Sequence, residues 1–392
     1  MLEYRTDSTT NSQLRPVSAS SPPPVPQPPT PVSQVRVVVA EDSPVTLEYL
    51  VYILSQDPAL QVVGTARNGL EAAEQAARLK PDVILMDVHM PRMNGYEATR
   101  QIMERVPTPI VLASASFTQD EMAMTFEGLK AGALTVVEKP AGLAHPDHAE
   151  TTRRLVESVK LMAEVKVVRR WPKRGLPGPP SPSPGRPDQR IQLIAIGAST
   201  GGPAAIAEIL RELPADLGAP ILVVQHITPG FTAGLVEWLG QGTGLSVKLA
   251  ERGEAVRAGT IYLAPDGSQM EIMKDGRIRL TQESAEGGFC PSVSHLFQSV
   301  AAAFGPSAMG ILLTGMGRDG ATGLLRLKEA RGVTIAQDEE SSVVFGMPGE
   351  AIRLGAAEYV LPPRQIARTI CDLVQCGEEV GAYGTKNPRR RG

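Results

Sequence analysis

A short run of branched apolar residues followed by a helix-length stretch recurs along this chain, and that repeat most restricts its fold. "VRVVVA", "QVVGTA", "DVILMD", "PIVLAS" and "LTVVEK" occur in order between residues 35 and 139. One segment of helical character separates each from the next, as with Val45, Tyr49, Tyr52 and Ile53 after the first. Alternating strand and helix signals predict βα units, and five in succession make a doubly wound parallel sheet. A second series starts at "IQLIAIGAS" and continues through "APILVVQH" and "MGILLTGMGRDG". The predicted fold class is therefore α/β, with two doubly wound parallel-sheet domains. Within the second, "MEIMKDGRIRL" reads as a β-hairpin turning at Asp275-Gly276.

Proline marks where these domains stop. Eight of the 34 prolines lie in residues 1–34 and seven in 171–187, including "SPPPVPQPPTP" and "WPKRGLPGPPSPSPGRP". Such stretches cannot build a packed core and read as extended tethers. The expected organisation is a tail over 1–34, a domain over 35–170 with a long last helix, and a linker over 171–189. A second domain follows over 190–376, then a basic tail over 377–392. A net charge of −3 gives no reason to expect a nucleic-acid surface. No apolar run approaches membrane-spanning length, so no membrane insertion is expected. Three cysteines without metal-ligand spacing favour a reducing, cytoplasmic setting.

In a doubly wound sheet the functional residues gather at the carboxyl ends of the strands. In the first domain those ends carry Glu41, Asp42, Asp87, Ser114 and Lys139. Clustered carboxylates repel one another unless they share a cation, and oxygen ligands with room for water suit Mg²⁺. A carboxylate beside such an ion, a hydroxyl and an ammonium can accept a phosphoryl group. "VVVAEDS", "DVILMDVHMPRMNGYEA", "PIVLASAS" and "GALTVVEKP" resemble, in order and spacing, the motifs of two-component receiver domains. The resemblance implies a flavodoxin-like sheet and phosphorylation at Asp87. It implies Mg²⁺ held by Glu41, Asp42, Asp87 and the His89 carbonyl, with Ser114 and Lys139 contacting the phosphoryl oxygens. Val136 stands where many receivers carry an aromatic switch residue.

In the second domain the strand ends deliver Ser199, His226 and, just past its strand, Asp319. Each alone has an ordinary explanation as a helix cap, a structural histidine or a turn residue. Together on one sheet edge they match a nucleophile, a base and a carboxylate that orients the base. "GASTG" also fits the strand–turn–helix nucleophile elbow, although the chain order Ser–His–Asp differs from that of α/β-hydrolases. A dinucleotide loop is the competing reading of this glycine-rich turn. It would need different glycine spacing and an acidic end to the next strand, where Gln225-His226 stands instead.

"IGASTGGP", "VVQHITPGFT", "APDG", "PSV", "LLTGMGRDGA" and "AQDEESSVVFGMP" resemble the catalytic domain of the chemotaxis protein-glutamate methylesterases, the CheB family. That resemblance implies a Rossmann-like catalytic domain that needs no cofactor, with Ser199, His226 and Asp319 as the triad. Backbone amides of Thr200 and Met316 would form the oxyanion hole. Cys290, Ser294 and Gly349 depart from the family pattern at positions expected to touch substrate. The implied function is a phosphorylation-activated hydrolase of glutamate γ-methyl esters, which also deamidates glutamines. Its implied partners are a histidine autokinase as phosphodonor and the cytoplasmic helices of a methyl-accepting receptor as substrate. A response regulator whose second domain only binds a partner is the rival reading. His145 and His148 are expected to be solvated, and His295 to serve packing.

Overall fold

The computed structural model describes residues 34–115, 119–165, 167, 190–282 and 288–374. The expected linker over 171–189, the terminal segment over 377–392 and, apart from Gln34, the tail over 1–34 lie outside the described residues.

Five strands build the first sheet: β1 (Val35–Ala40), β2 (Leu60–Ala66), β3 (Val83–Asp87), β4 (Ile110–Ser114) and β5 (Thr135–Glu138). Helices α1 (Pro44–Ser55), α2 (Gly69–Leu79), α3 (Gly95–Arg105), α4 (Gln119–Ala131) and α5 (His148–Ala163) accompany them. All pairings are parallel, in the order β2-β1-β3-β4-β5. Each residue of β3 and β4 is buried, as expected of strands covered by helices on both faces. The helix starts are written in the sequence. Asn94 caps α3, and Glu97 reaches back to the Asn94 amide in a reciprocal box. The last helix, 16 residues long, ends at Ala163. The β-branched run "VKVV" just beyond lowers helix propensity there.

The second sheet has seven parallel strands in the order β14-β13-β12-β6-β7-β9-β8. These are β6 (Leu193–Ala198), β7 (Ile221–Gln225), β8 (Ser246–Leu249), β9 (Thr260–Leu263), β12 (Ala308–Leu312), β13 (Val333–Gln337) and β14 (Tyr359–Leu361). Its helices are α6 (Gly202–Arg211), α7 (Thr232–Gln241), α8 (Val293–Ala303), α9 (Ala321–Glu329), α10 (Met347–Arg353) and α11 (Pro363–Leu373). The expected hairpin is present as antiparallel β10 (Gln269–Ile272) and β11 (Ile278–Thr281). Its turn holds Gly276 at a left-handed φ of 74°. Tyr262, Phe231 and Phe297 are among the largest fully buried side chains of this half.

Strand order explains why distant residues meet. The chain winds from β6 outward through β7 on one side and later returns to add β12 on the other, which makes this point of the sheet a switch crevice. Ser199 directly follows β6, His226 directly follows β7, and Asp319 lies in the loop after β12. Three adjacent central strands thus carry the three residues to one edge.

Candidate active site

The turn after β6 bends sharply. Gly201 adopts φ 79°, a conformation open to glycine at little cost, and a β-carbon there would approach the Val343 side chain to 2.6 Å. Gly315 is the second close approach, where a β-carbon would come within 2.7 Å of that of Ser199. Ser199 donates its amide to the Thr314 carbonyl at 3.0 Å and remains partly exposed. No side chain caps α6, so the positive end of that helix faces the turn. The amides of Thr200 and Met316 make no backbone hydrogen bond among the described residues.

Register aligns the next residue. Ala198 pairs with Gln225, and the His226 amide donates to the Ala198 carbonyl at 2.9 Å. Gln225, buried at the strand end, donates to the carbonyls of both Ser199 and His226 at 2.8 Å. One amide side chain therefore ties the two turns together. Nε2 of His226 lies 3.0 Å from Oδ2 of Asp319, at ion-pair distance although not aligned as a hydrogen bond. No hydrogen bond joins the Ser199 hydroxyl to the imidazole among the described residues. Such links commonly tighten only with substrate in place.

Asp319 is buried and richly solvated by protein donors. The Ser292 hydroxyl and the Ser294 amide each donate to Oδ1 at 3.0 Å, and the Val293 amide donates to Oδ2 at 2.7 Å. Burial on its own would raise the carboxyl pKa. The His226 imidazole and the Ser294 donors outweigh it and hold the group well below the usual carboxylate range. Asp319 is thus a fixed anion at the start of α8.

In the first domain, Glu41, Asp42 and Asp87 each offer an oxygen within 4.8 Å of the others. Lys139 Nζ lies 2.7 Å from Glu41 and 2.9 Å from Asp87. Burial pushes the Glu41 and Asp87 carboxyls up, and Lys139 pulls both back without cancelling the effect. Lys139 itself is depressed by burial, but the two carboxylates prevail and raise it. Ser114 is buried at the end of β4, and the His89 amide donates to Asp87. An all-oxygen set at one sheet edge, with one exposed member, fits a divalent cation that keeps some of its water.

Comparison with known proteins gives this arrangement a family. Residues 194–370 match the CheB methylesterase domain, and residues 37–147 match the response regulator receiver domain. A protein-glutamate methylesterase/protein-glutamine glutaminase of Syntrophus aciditrophicus is 49% identical over 86% of this chain and 98% of its own. One from Nitrosospira multiformis is 50% identical over 87% of this chain and 97% of its own. The chain belongs to the CheB methylesterase family. The crystal structure of the Thermotoga maritima CheB methylesterase catalytic domain is 37% identical to it, with a TM-score of 0.46. That alignment covers 47% of this chain and 99% of the other.

Other contacts add to the expectations. Ser294 supports Asp319 through its amide and accepts the Gly320 amide on its hydroxyl at 2.7 Å. Its hydroxyl also lies 3.4 Å from that of Thr322, so the side chain stays partly exposed beside the carboxylate. His148 is not simply solvated. Its Nδ1 lies 2.8 Å from the Tyr49 hydroxyl and 2.9 Å from the Ala141 carbonyl, tying α5 to α1. His295 does more than pack, since its Nε2 meets Glu271 at 2.6 Å. The sequence reading also passed over Thr314, whose hydroxyl donates to the Thr200 carbonyl at 2.9 Å. Gln337 in turn accepts the Thr314 amide at 2.8 Å. A buried glutamine at each of two strand ends is an available signal, because a buried amide has to find partners.

Proposed function

We propose that this CheB-family chain is a phosphorylation-switched serine hydrolase with Ser199, His226 and Asp319 as its catalytic residues. Its substrate is the glutamate γ-methyl ester on cytoplasmic helices of a methyl-accepting receptor, and glutamine side chains are deamidated by the same route. The observation that carries this reading is the buried Asp319, held by the Ser292 hydroxyl and the Val293 and Ser294 amides at the start of α8 and facing a histidine at the end of the strand beside that of Ser199.

The chemistry follows from that geometry. Nε2 is the ring nitrogen near Asp319, so the tautomer that serves carries its proton there and leaves Nδ1 as the base. It takes the Ser199 proton as Oγ adds to the ester carbonyl. The amides of Thr200 and Met316 receive the oxyanion, aided by the N-terminus of α6. Collapse expels methoxide, which leaves as methanol with the proton from Nδ1. Water then adds to the acyl-enzyme, gives its proton to the imidazole, and releases the glutamate with Ser199 restored. From glutamine the leaving group is ammonia.

Asp87 accepts the phosphoryl group from a histidine autokinase. Mg²⁺, held by Glu41, Asp42, Asp87 and the His89 carbonyl, would neutralise charge on the transferring group. Ser114 and Lys139 contact the phosphoryl oxygens. Phosphorylation would weaken docking of the receiver on the esterase. Contacts across the two sheets support that coupling. The Thr228 hydroxyl, two residues past His226, donates to the Val136 carbonyl at 2.7 Å. Phe126 of α4 stacks on Trp238 of α7 at 5.4 Å. Met316 and Val343 pack against the first domain's apolar cluster. The switch position therefore touches the esterase through its backbone, whatever side chain it carries.

The test is methanol release from a methylated receptor preparation by the purified chain, with a small phosphodonor and Mg²⁺. Wild type should release methanol and Ser199→Ala should release none while still binding receptor. Release at the wild-type rate by Ser199→Ala would overturn the assignment.

A further inference from the structure

Two contacts outside Ser199, His226 and Asp319 converge on residues 288–294. The Phe289 ring lies against the His226 imidazole with centroids 4.6 Å apart and planes 4° from parallel. Phe289 is 44% exposed, so this stack is not a by-product of core packing. At the other end of the same segment, Ser292, Val293 and Ser294 supply the donors that hold Asp319. One side chain from elsewhere joins the two ends. Gln269, at the start of β10 and fully buried, donates Nε2 to the Phe289 carbonyl at 2.7 Å. Its Oε1 accepts the Ser292 amide at 2.8 Å. A primary amide presents a donor and an acceptor side by side, which lets one residue close both bonds.

We propose that Gln269 and Phe289 are positioning residues, which together set the plane of the His226 ring against the Asp319 carboxylate. This rests on the triad reading above. A contact at one ring nitrogen leaves the imidazole free to swing about that contact. A flat, parallel neighbour removes the swing, as a stacked aromatic face does and a branched aliphatic side chain does not. Gln269 matters because it fixes the carbonyl of the stacking residue and the amide beside the Asp319 donors. A shift of the segment would then displace base and carboxylate independently. Nothing in this role requires either residue to touch substrate.

The test uses the full chain with Mg²⁺ and phosphodonor, following methanol release from methyl-labelled receptor, together with imidazole ¹⁵N spectra. Phe289→Leu and Gln269→Glu should each lower kcat by about 10- to 100-fold, the scale of a small misplacement of a catalytic group. KM should stay within about twofold, and Phe289→Tyr should retain nearly all of kcat because it keeps the flat face. The His226 signals should report one tautomer in wild type and Phe289→Tyr, and a mixture in Phe289→Leu. Equal loss in Leu and Tyr variants, or a single tautomer with full kcat in Phe289→Leu, would overturn the proposal. So would a rise in KM alone, which would make Phe289 a substrate contact. If Gln269→Glu fails to fold, the Phe289 pair decides on its own. Wild-type turnover in Ser199→Ala would instead bring down the triad reading, whichever way the Phe289 variants behave.

Discussion

At the residue scale the decisive group is Asp319, which combines burial with four protein donors and the His226 ring. Asp319→Asn should keep the fold of the loop but favour the wrong imidazole tautomer, a change that costs about 10⁴-fold in kcat in the best-studied triad enzymes. Methanol release by that variant at more than a tenth of the wild-type rate would contradict the assignment. The depressed pKa carries a stability consequence as well. A carboxyl with a lower pKa folded than unfolded adds stability that is complete above the unfolded value, about 3.9. That contribution is lost as pH falls from there through the depressed folded value. The melting difference between wild type and Asp319→Asn should therefore narrow as pH falls below about 4. A gap that widened in acid would refute this sign. Ser199, His226 and Asp319 were legible in the sequence because each sits at or just past a strand end, where side-chain chemistry is displayed. Gln269 and Phe289 were not, because their partners are backbone groups or a ring brought near by strand order, which spacing along the chain does not encode.

At the element scale the legible part was the alternation of strands and helices, since strands covered by helices on both faces are largely apolar. The order β12-β6-β7 was less legible, because a parallel sheet of the same strands could be wound in other orders with the same local pattern. The end of α5 has a local reason. Charged residues extend the helical pattern as far as Glu164, and only the β-branched run beyond it gives the stop. Helices α4 and α7 make a specific prediction about coupling. Phe126 is fully buried and stacks on Trp238, whose indole N–H also donates to Glu127 at 3.3 Å. Trp238→Leu keeps apolar bulk but removes both the stack and the donor. Aromatic stacks contribute about 0.5–1.5 kcal/mol beyond area burial, so unphosphorylated turnover should rise about 2- to 10-fold. The phosphorylated rate should change little. A rise in the phosphorylated rate alone, or no rise in either, would show that this contact does not restrain the esterase.

At the scale of the whole molecule, two sheets with the same winding do different work because their edges carry different chemistry. One edge gathers carboxylates with a lysine, and the other gathers a hydroxyl, an imidazole and a single held carboxylate. Contacts between the two run through β5, α4, α6 and α7, near the turns that carry Ser199 and His226. If the receiver edge controls the esterase edge, Asp87→Asn should abolish Mg²⁺-dependent phosphotransfer and leave methanol release at its unphosphorylated rate. Phosphodonor that still accelerated Asp87→Asn would place the switch elsewhere. The most direct test of the whole account is the initial rate of methanol release by the full chain, before and after phosphodonor, beside a fragment of residues 188–376. The unphosphorylated full chain should be slowest, phosphodonor should accelerate only the full chain, and the fragment should be fast throughout. A fragment slower than the intact unphosphorylated protein would make the receiver an activator and contradict the account.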